Sequence, residues 1–510
     1  ELTLGDNSET SIDGSLFGYY NDIINSHNIN FVFGVNLRER KNDEETYYLR
    51  DLPAGGFSSP QFAREMAKSP NAFGQTNRLF GAMMSLNYTY DNIYLMDLTG
   101  RLDGNSSFGS DSRFAPFWSV GLGINIHNYH FAQNLEWLSE FKIRGSYGIT
   151  GKADFPAKTA RTVYTMNSDY VYATGVGGNI TAMGNKKLKW ERTKISDIGI
   201  SLGLLGDKLR VNGSYYVRRT LDLIADMYIP SSSGFLSYKD NVGEITNKGF
   251  ELDLRWRVFS TNKMQLYVNG NLAANKNRIE KISEALKSYN KRVEDSYAQN
   301  ALIDRKPMLK FVEGASTTSI YAMRSLGIDP QTGKEMFISK DGTVGNKWIA
   351  SENVAVGNTE PKINGSISTN FYYRGLTLDL YFTYTYGGQQ YNQTLQSKIE
   401  NANIEKNVDK RVFTDRWKNE GDICQFKSLK DYRETTNPTT RFVQDDNTLT
   451  FQSLSLGYEL PDRIVQKLYL NKVRFSFNMN DVFRLSTIRQ ERGLSYPFSR
   501  GYSFSLNIGI

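Results

Sequence analysis

The sequence predicts an all-β protein of one kind, a transmembrane antiparallel β-barrel with short periplasmic turns and long extracellular loops. Three observations predict it. Apolar and polar residues alternate with period two over runs of about ten residues, the length that crosses a bilayer when tilted. The connections between runs alternate between short and long, the sorting expected of an outer-membrane barrel and not of a soluble sandwich. No run of about 18 apolar residues offers a spanning helix. A low mean hydropathy of −0.49 does not oppose this, because barrel strands face lipid only at every second residue.

The strands are expected near 12–24, 29–40, 77–90, 93–102, 116–130, 140–150, 191–204, 208–218, 249–259, 263–275, 363–373, 376–387, 448–460, 471–483 and 501–510. The clearest are two-faced. Phe250, Leu252, Leu254, Trp256 and Val258 alternate with Glu251, Asp253, Arg255 and Arg257. Leu209, Val211, Gly213 and Tyr215 alternate with Lys208, Arg210, Asn212 and Ser214. Leu376 to Tyr386 alternates with Thr377, Asp379, Thr383 and Thr385. The chain ends on Tyr502, Phe504, Leu506, Ile508 and Ile510, set against Ser503, Ser505, Asn507 and Gly509. Short connections are expected near 25–28, 91–92, 131–139, 205–207, 260–262, 374–375 and 461–470, and long ones near 41–76, 103–115, 151–190, 219–248, 276–362, 388–447 and 484–500. Counting back from a last strand that ends in the periplasm, the first strand also follows a long outer loop. That gives an odd number, about 15, where a complete bacterial barrel normally has an even one. Residues 1–510 are therefore expected to be the C-terminal part of a larger barrel.

Composition narrows the chemistry. Of 510 residues, 31 are Tyr, 29 Phe and 6 Trp, and 23% are charged, which excludes a disordered chain. One cysteine, Cys424, excludes a disulfide framework or a cysteine-based metal centre within the chain. Three histidines leave few options for acid–base work. A net charge of +7 over this length gives no reason to expect nucleic acid. His127 and His130 are three apart on a strand, which turns their rings to opposite faces. Asp103, Asn105, Ser107 and Asp111 begin with calcium-loop spacing but carry Phe108 where the loop needs glycine. Gly327 and Gly333-Lys334-Glu335 miss the phosphate-loop pattern. No catalytic set, metal site or cofactor is expected, and the chain reads as a non-enzyme.

Motifs then point to a family. Arg101-Leu-Asp-Gly-Asn-Ser-Ser-Phe-Gly109, Phe114-Ala-Pro-Phe-Trp118, Phe141-Lys-Ile-Arg-Gly-Ser-Tyr-Gly-Ile-Thr-Gly151 and Leu188-Lys-Trp-Glu-Arg-Thr193 follow one another in order. Tyr215-Tyr216 through Leu223, Asn247-Lys-Gly-Phe-Glu251, Leu456-Gly-Tyr-Glu-Leu-Pro461 and Asn480-Asp-Val-Phe483 complete the series. In order and spacing these resemble the SusC/RagA family of TonB-dependent outer-membrane transporters of Bacteroidetes, from about residue 77 to the end. The family's usual terminal Phe is Ile510 here, and the Asn after Gly151 is Lys152.

The resemblance implies a barrel of about 22 strands, with the missing strands, a plug domain and a TonB box upstream. It implies import of oligosaccharides or oligopeptides, with a SusD-like surface lipoprotein as lid and the TonB complex as energy source. Its other partners are the N-terminal plug and barrel portion and outer-membrane lipid. A structural scaffold role in a larger outer-membrane assembly is the alternative, which an intact upstream plug and TonB box would disfavour. Glu251, Asp253, Arg255, Arg257, Lys208 and Arg210 are expected to face the lumen, because Arg or Lys facing lipid at the midplane costs ~2–4 kcal/mol. Trp348 and Trp417, in the outer loops, are expected to meet substrate or partner. Tyr502, Phe504, Leu506, Ile508 and Ile510 form the strand that the family uses as a barrel-assembly signal.

Overall fold

The computed structural model describes residues 2–53, 55, 59–152, 162–172, 175–228, 237–298, 305–431, 434–488 and 500–509. Fifteen strands form one sheet in which each pairs with its neighbours in sequence. They are β1 (Leu2–Ile24), β2 (His27–Arg50), β3 (Glu65–Tyr90), β4 (Tyr94–Asn105), β5 (Phe114–Asn125), β6 (Leu138–Lys152), β7 (Glu191–Leu204), β8 (Leu209–Tyr228), β9 (Ser237–Ser260), β10 (Met264–Ile282), β11 (Ile363–Tyr373), β12 (Leu376–Tyr391), β13 (Val443–Glu459), β14 (Lys472–Ser486) and β15 (Tyr502–Gly509). Each of the fifteen expected strands is present.

Their outer ends differ from expectation. The connection expected over 41–76 is mostly strand, since β2 runs on to Arg50 and β3 begins at Glu65. β8 likewise reaches Tyr228, and β10 reaches Ile282. Beyond the bilayer both faces of a strand are wet, so the alternation that reveals it disappears while the ladder continues. Ion pairs line these extensions, among them Lys41–Asp43 at 2.8 Å and Arg50–Glu65 at 2.9 Å. The alternation of loop lengths is also not strict. The turn over 126–137, on the short side, outruns the connection over 106–113 on the long side. It folds as the 3₁₀ turn Ile126–Asn128 followed by the helical turn His130–Gln133.

Tight turns close the short side. Asp91 and Asn92 adopt φ of 52° and 55°, and Arg374 and Gly375 adopt 46° and 93°, the left-handed pairs that match the twist of a two-strand hairpin. In β13 a bulge lies between Phe451 and Ser453. The extra residue moves the apolar phase from Leu449 and Phe451 to Leu454, Leu456 and Tyr458, so both halves of the strand keep one apolar face. Across that face Phe382 stacks on Phe451 at 4.4 Å, and Phe483 meets Phe451 edge-on at 5.4 Å.

The chain divides into two compact units. The first comprises Glu1–Ile124, Arg144–Ser196 and Arg218–Glu244; its core is Phe108, Ala115, Phe117 and Trp190, with Ile149 and Ile224 against them. The second comprises Asn125–Ile143, Asp197–Val217 and Ile245–Ile510; its core is Leu395, Ile399, Ala402, Val412, Phe426 and Phe442. Both cores lie at the long-loop side. Membrane strands have no interior to fill, and their apolar side chains stand outward, as Leu16, Leu122, Ile198 and Phe504 do.

Candidate functional site

Three features of the second unit define the site: a charged strand face, a neutral strand face and the outer loops. On β9, Glu251, Asp253, Arg255 and Arg257 share one side by the two-residue repeat. A Cβ on Gly213 would lie 3.7 Å from Leu252, so Gly213 of β8 is on the opposite, apolar face. The Arg257 amide donates to the Lys208 carbonyl at 2.7 Å, which sets the same register. Lys208 and Arg210 therefore join Arg255 and Arg257, while Phe250, Leu252 and Trp256 face the other way. The structure also moves the lower end of this row to the periplasmic edge. Arg210 is tied to Asp207 of the turn by two hydrogen bonds of 2.5 and 2.6 Å, and this partner holds the Asp207 carboxyl below the usual carboxylate range. Arg257 reaches the Gly206 carbonyl at 3.3 Å.

The neutral face has no counterpart in the sequence-based expectations. Asn269 and Asn271 of β10 pair in register with Ser368 and Ser366 of β11. These pair with Tyr381 and Thr383 of β12, and those in turn with Ser453 and Thr450 of β13. Asn271 donates to Ser366 at 2.8 Å, Asn370 to Asp379 at 2.8 Å and Ser455 to Asn478 at 2.7 Å. The opposite face carries Leu266, Val268, Ile367, Phe371, Leu378 and Leu380. The alternation is present in the sequence, but Asn, Ser and Thr mark a polar face less sharply than charged residues do.

The outer loops 283–362 and 392–442 fold as one body. The first contains the helix Glu284–Ala298, a three-strand sheet (Arg324–Ile328, Glu335–Ile338, Val344–Gly345) and the pair Ser319–Ala322 with Val354–Asn358. The second contains a π-helical turn, Leu395–Glu400. Backbone bonds stitch them: Met323 N to Pro438 O at 3.1 Å, Gly421 N to Pro330 O at 2.8 Å and Ser428 N to Gly333 O at 3.2 Å. At their centre Arg441 is buried and meets Glu335 and Glu400, each at 2.6 Å. Burial alone lowers an arginine's affinity for its proton, but the two carboxylates outweigh it and raise the pKa of Arg441. Neighbouring Arg416 donates to the carbonyls of Val412 and Lys427 at 2.9 Å. Arg441 lies 106 residues from Glu335 and 41 from Glu400 in the chain, so no local pattern could have announced these pairs.

Both tryptophans expected to meet a ligand are placed by this body. Trp417 is 8% exposed, its indole N–H donates to the Pro330 carbonyl at 2.8 Å, and its ring covers Gly333. It is a packing residue of the loop interior, because a satisfied indole lowers the cost of burying the whole ring. Trp348 is half-buried, donates to the Pro438 carbonyl at 3.0 Å and packs edge-on against Tyr297 at 5.3 Å. It lines a cavity of about 430 Å³ with Lys334, Lys347, Lys427 and Phe337.

In the first unit the family-like motifs meet one another. Phe108 stacks on Trp190 at 4.4 Å, and Trp190 donates to the Arg113 carbonyl at 3.2 Å. Asn77 bonds the Ser107 hydroxyl at 2.6 Å, and Arg101 holds Asp103 at 2.6 Å. Asp103, Asn105 and Ser107 thus fasten a turn, and His127 of the other unit accepts from the Phe141 amide at 3.2 Å. At the C-terminus Tyr502, Phe504, Leu506 and Ile508 pair in register with Met479, Phe477, Phe475 and Val473. Ile510 lies outside the described residues.

A sheet of long two-faced strands, linked by tight turns on one side and folded loops on the other, defines an outer-membrane β-barrel protein. A model of the family described as TonB dependent receptor-like, beta-barrel, matches residues 2–482, and the chain belongs to that family. It is an integral protein of the bacterial outer membrane. TonB-dependent receptor P26 of Formosa agariphila is 26% identical over 494 residues, 92% of this chain and 48% of its own. TonB-dependent receptor P3 of the same organism is 24% identical over 480 residues, 89% and 46% of the two chains. TonB-dependent receptor SusC of Bacteroides thetaiotaomicron is 30% identical over 222 residues, 42% of this chain and 22% of its own. Among solved structures, the RagAB peptide importer in its open-open state is similar in fold, with a TM-score of 0.83 at 21% identity over 100% of this chain and 55% of the other. The chain spans about half the length of the receptors P3 and P26.

Proposed function

We propose that residues 1–510 form the C-terminal barrel portion of a SusC-like importer that takes up oligosaccharides or oligopeptides. In that reading a plug domain and TonB box lie upstream in the full protein. A SusD-like lipoprotein closes the barrel from outside, and the TonB complex supplies the energy. The observation that carries the reading is the pairing of a continuous polar strand face with a folded body of outer loops. The polar face offers a wet path, and the loop body offers a stable seat at its mouth. Glu251, Asp253, Arg255 and Arg257, with Lys208 and Arg210, then line the lumen, since the opposite face is the apolar one. Tyr502 to Ile510 serve as the strand read during assembly. The likeness to SusC and to a RagAB fold supports this, and no covalent chemistry is required.

The test is purification of the full-length protein from its native outer membrane, together with growth of a deletion strain on single glycan and peptide sources. A stoichiometric SusD-like lipoprotein and a growth defect on at least one source are expected. Absence of both would overturn the importer reading in favour of the scaffold.

A further inference from the structure

The neutral face of β10–β13 says more about the ligand than the charged face of β9 does. Along its two middle rows every projecting group is a carboxamide, a hydroxyl or a phenol: Asn269, Ser368, Tyr381 and Ser453 in one, Asn271 and Ser366 leading the other. Each such group both donates and accepts. They are already satisfied by one another, Asn269 lying 3.4 Å from the Ser368 hydroxyl and Asn271 2.8 Å from that of Ser366. Between Asp446 and Glu459, which stand toward the two ends of β13, the described residues of this face on the four strands carry one formal charge, Asp379, itself bonded by Asn370. On the adjoining β14, Arg474 and Arg484 stand toward the two ends and reach Thr377 and Thr448 at 3.3 and 3.4 Å.

We propose that this wall selects an uncharged, polyhydroxylated ligand, a neutral oligosaccharide, over anionic saccharides and peptides. The inference rests on the importer reading above. A charged group moving along the wall sheds water and finds no counter-charge in the middle rows, which is costly. A sugar hydroxyl exchanges water for an equivalent donor and acceptor at nearly no net cost. The repeat of equivalent rows then gives many weak positions and no deep one, the condition for a ligand that must enter and also leave. Tyr381, more than a third exposed, adds an amphipathic ring on which the apolar face of a sugar can rest.

The experiment uses energised cells carrying the full-length transporter and its native partners. They are offered three pools of short oligomers: neutral saccharides from dextrin, inulin, xylan and mannan, oligogalacturonates, and tryptic casein peptides. Depletion of a neutral saccharide from the medium is expected. The pair Ser366→Asp/Ser453→Asp is expected to cut that uptake about tenfold, with Ser366→Thr/Ser453→Thr retaining it. Barrel integrity is read from the heat-dependent shift on a denaturing gel, and Thr383→Asp replaces the pair if its barrel does not form. Depletion of the galacturonate or peptide pool alone overturns the neutral-ligand inference and leaves the importer standing. Unchanged uptake by the aspartate variants overturns the role of this wall. Depletion of no pool overturns the importer reading and this inference with it.

Discussion

The ring of Phe108 lies flat on the indole of Trp190, with centroids 4.4 Å apart and planes 18° apart. This one contact brings together two motifs separated by eighty residues of chain, the R-L-D-G-N-S-S-F-G turn and the L-K-W-E-R-T segment. Both rings are almost fully buried. A Cβ on Gly109 would meet the Lys186 carbonyl at 1.9 Å, so the turn must pass that backbone without a side chain. Phe108→Ala or Trp190→Ala is expected to destabilise this outer cluster by ~3–5 kcal/mol. Hydrogen exchange of residues 104–116 in detergent should accelerate in either variant. Unchanged exchange would show that the motif residues are held by something other than this stack.

Arg441 tests whether the outer loops are one body. Removing it leaves Glu335 and Glu400 buried without their cation, a change worth ~3–5 kcal/mol. Arg441→Ala should therefore raise protease cleavage across 323–338 and 392–401 together, not in one loop alone. The triple replacement Arg441→Met/Glu335→Leu/Glu400→Leu should recover most of the resistance, because an apolar set of similar volume needs no charge compensation.

The assignment of faces on β9 can be read by cysteine labelling in a Cys424→Ser background. Arg255→Cys is expected to react with a charged, membrane-impermeant maleimide, and Trp256→Cys to resist it while reacting with a lipid-soluble one. Equal labelling of both positions would sink the two-faced description of this strand.

Cys424 supplies a prediction in pH. Its thiol donates to the Phe426 carbonyl at 3.3 Å. Burial first, and then the charge of Asp422, push its pKa above the ordinary thiol value. Because the thiolate is the reactive form, less of it is present at pH 8 than in a free cysteine. Iodoacetamide labelling of the native protein should lag behind that of the urea-unfolded chain at pH 8, and the gap should narrow as pH rises. Labelling as fast as the unfolded chain would contradict a shielded thiol.

The sequence by itself determined the membrane part. All fifteen strands were legible because each strand in a bilayer must keep one face apolar for its whole crossing, and a period of two cannot be hidden there. Leu376 to Tyr386 and Phe250 to Val258 are plain cases. Where the strands leave the bilayer, as in Lys41–Arg50, that constraint lapses and only the ladders with β1 and β3 show the strand. Tertiary structure decided the loops and the faces. Trp417 reads as an exposed aromatic in a polar loop, yet it packs over Gly333 with its N–H on the Pro330 carbonyl. The Arg441 pairs join residues too distant for any periodicity to link. The neutral wall exists only because register brings Asn271, Ser366 and Thr383 into one row, and register is a property of paired strands, not of any one of them.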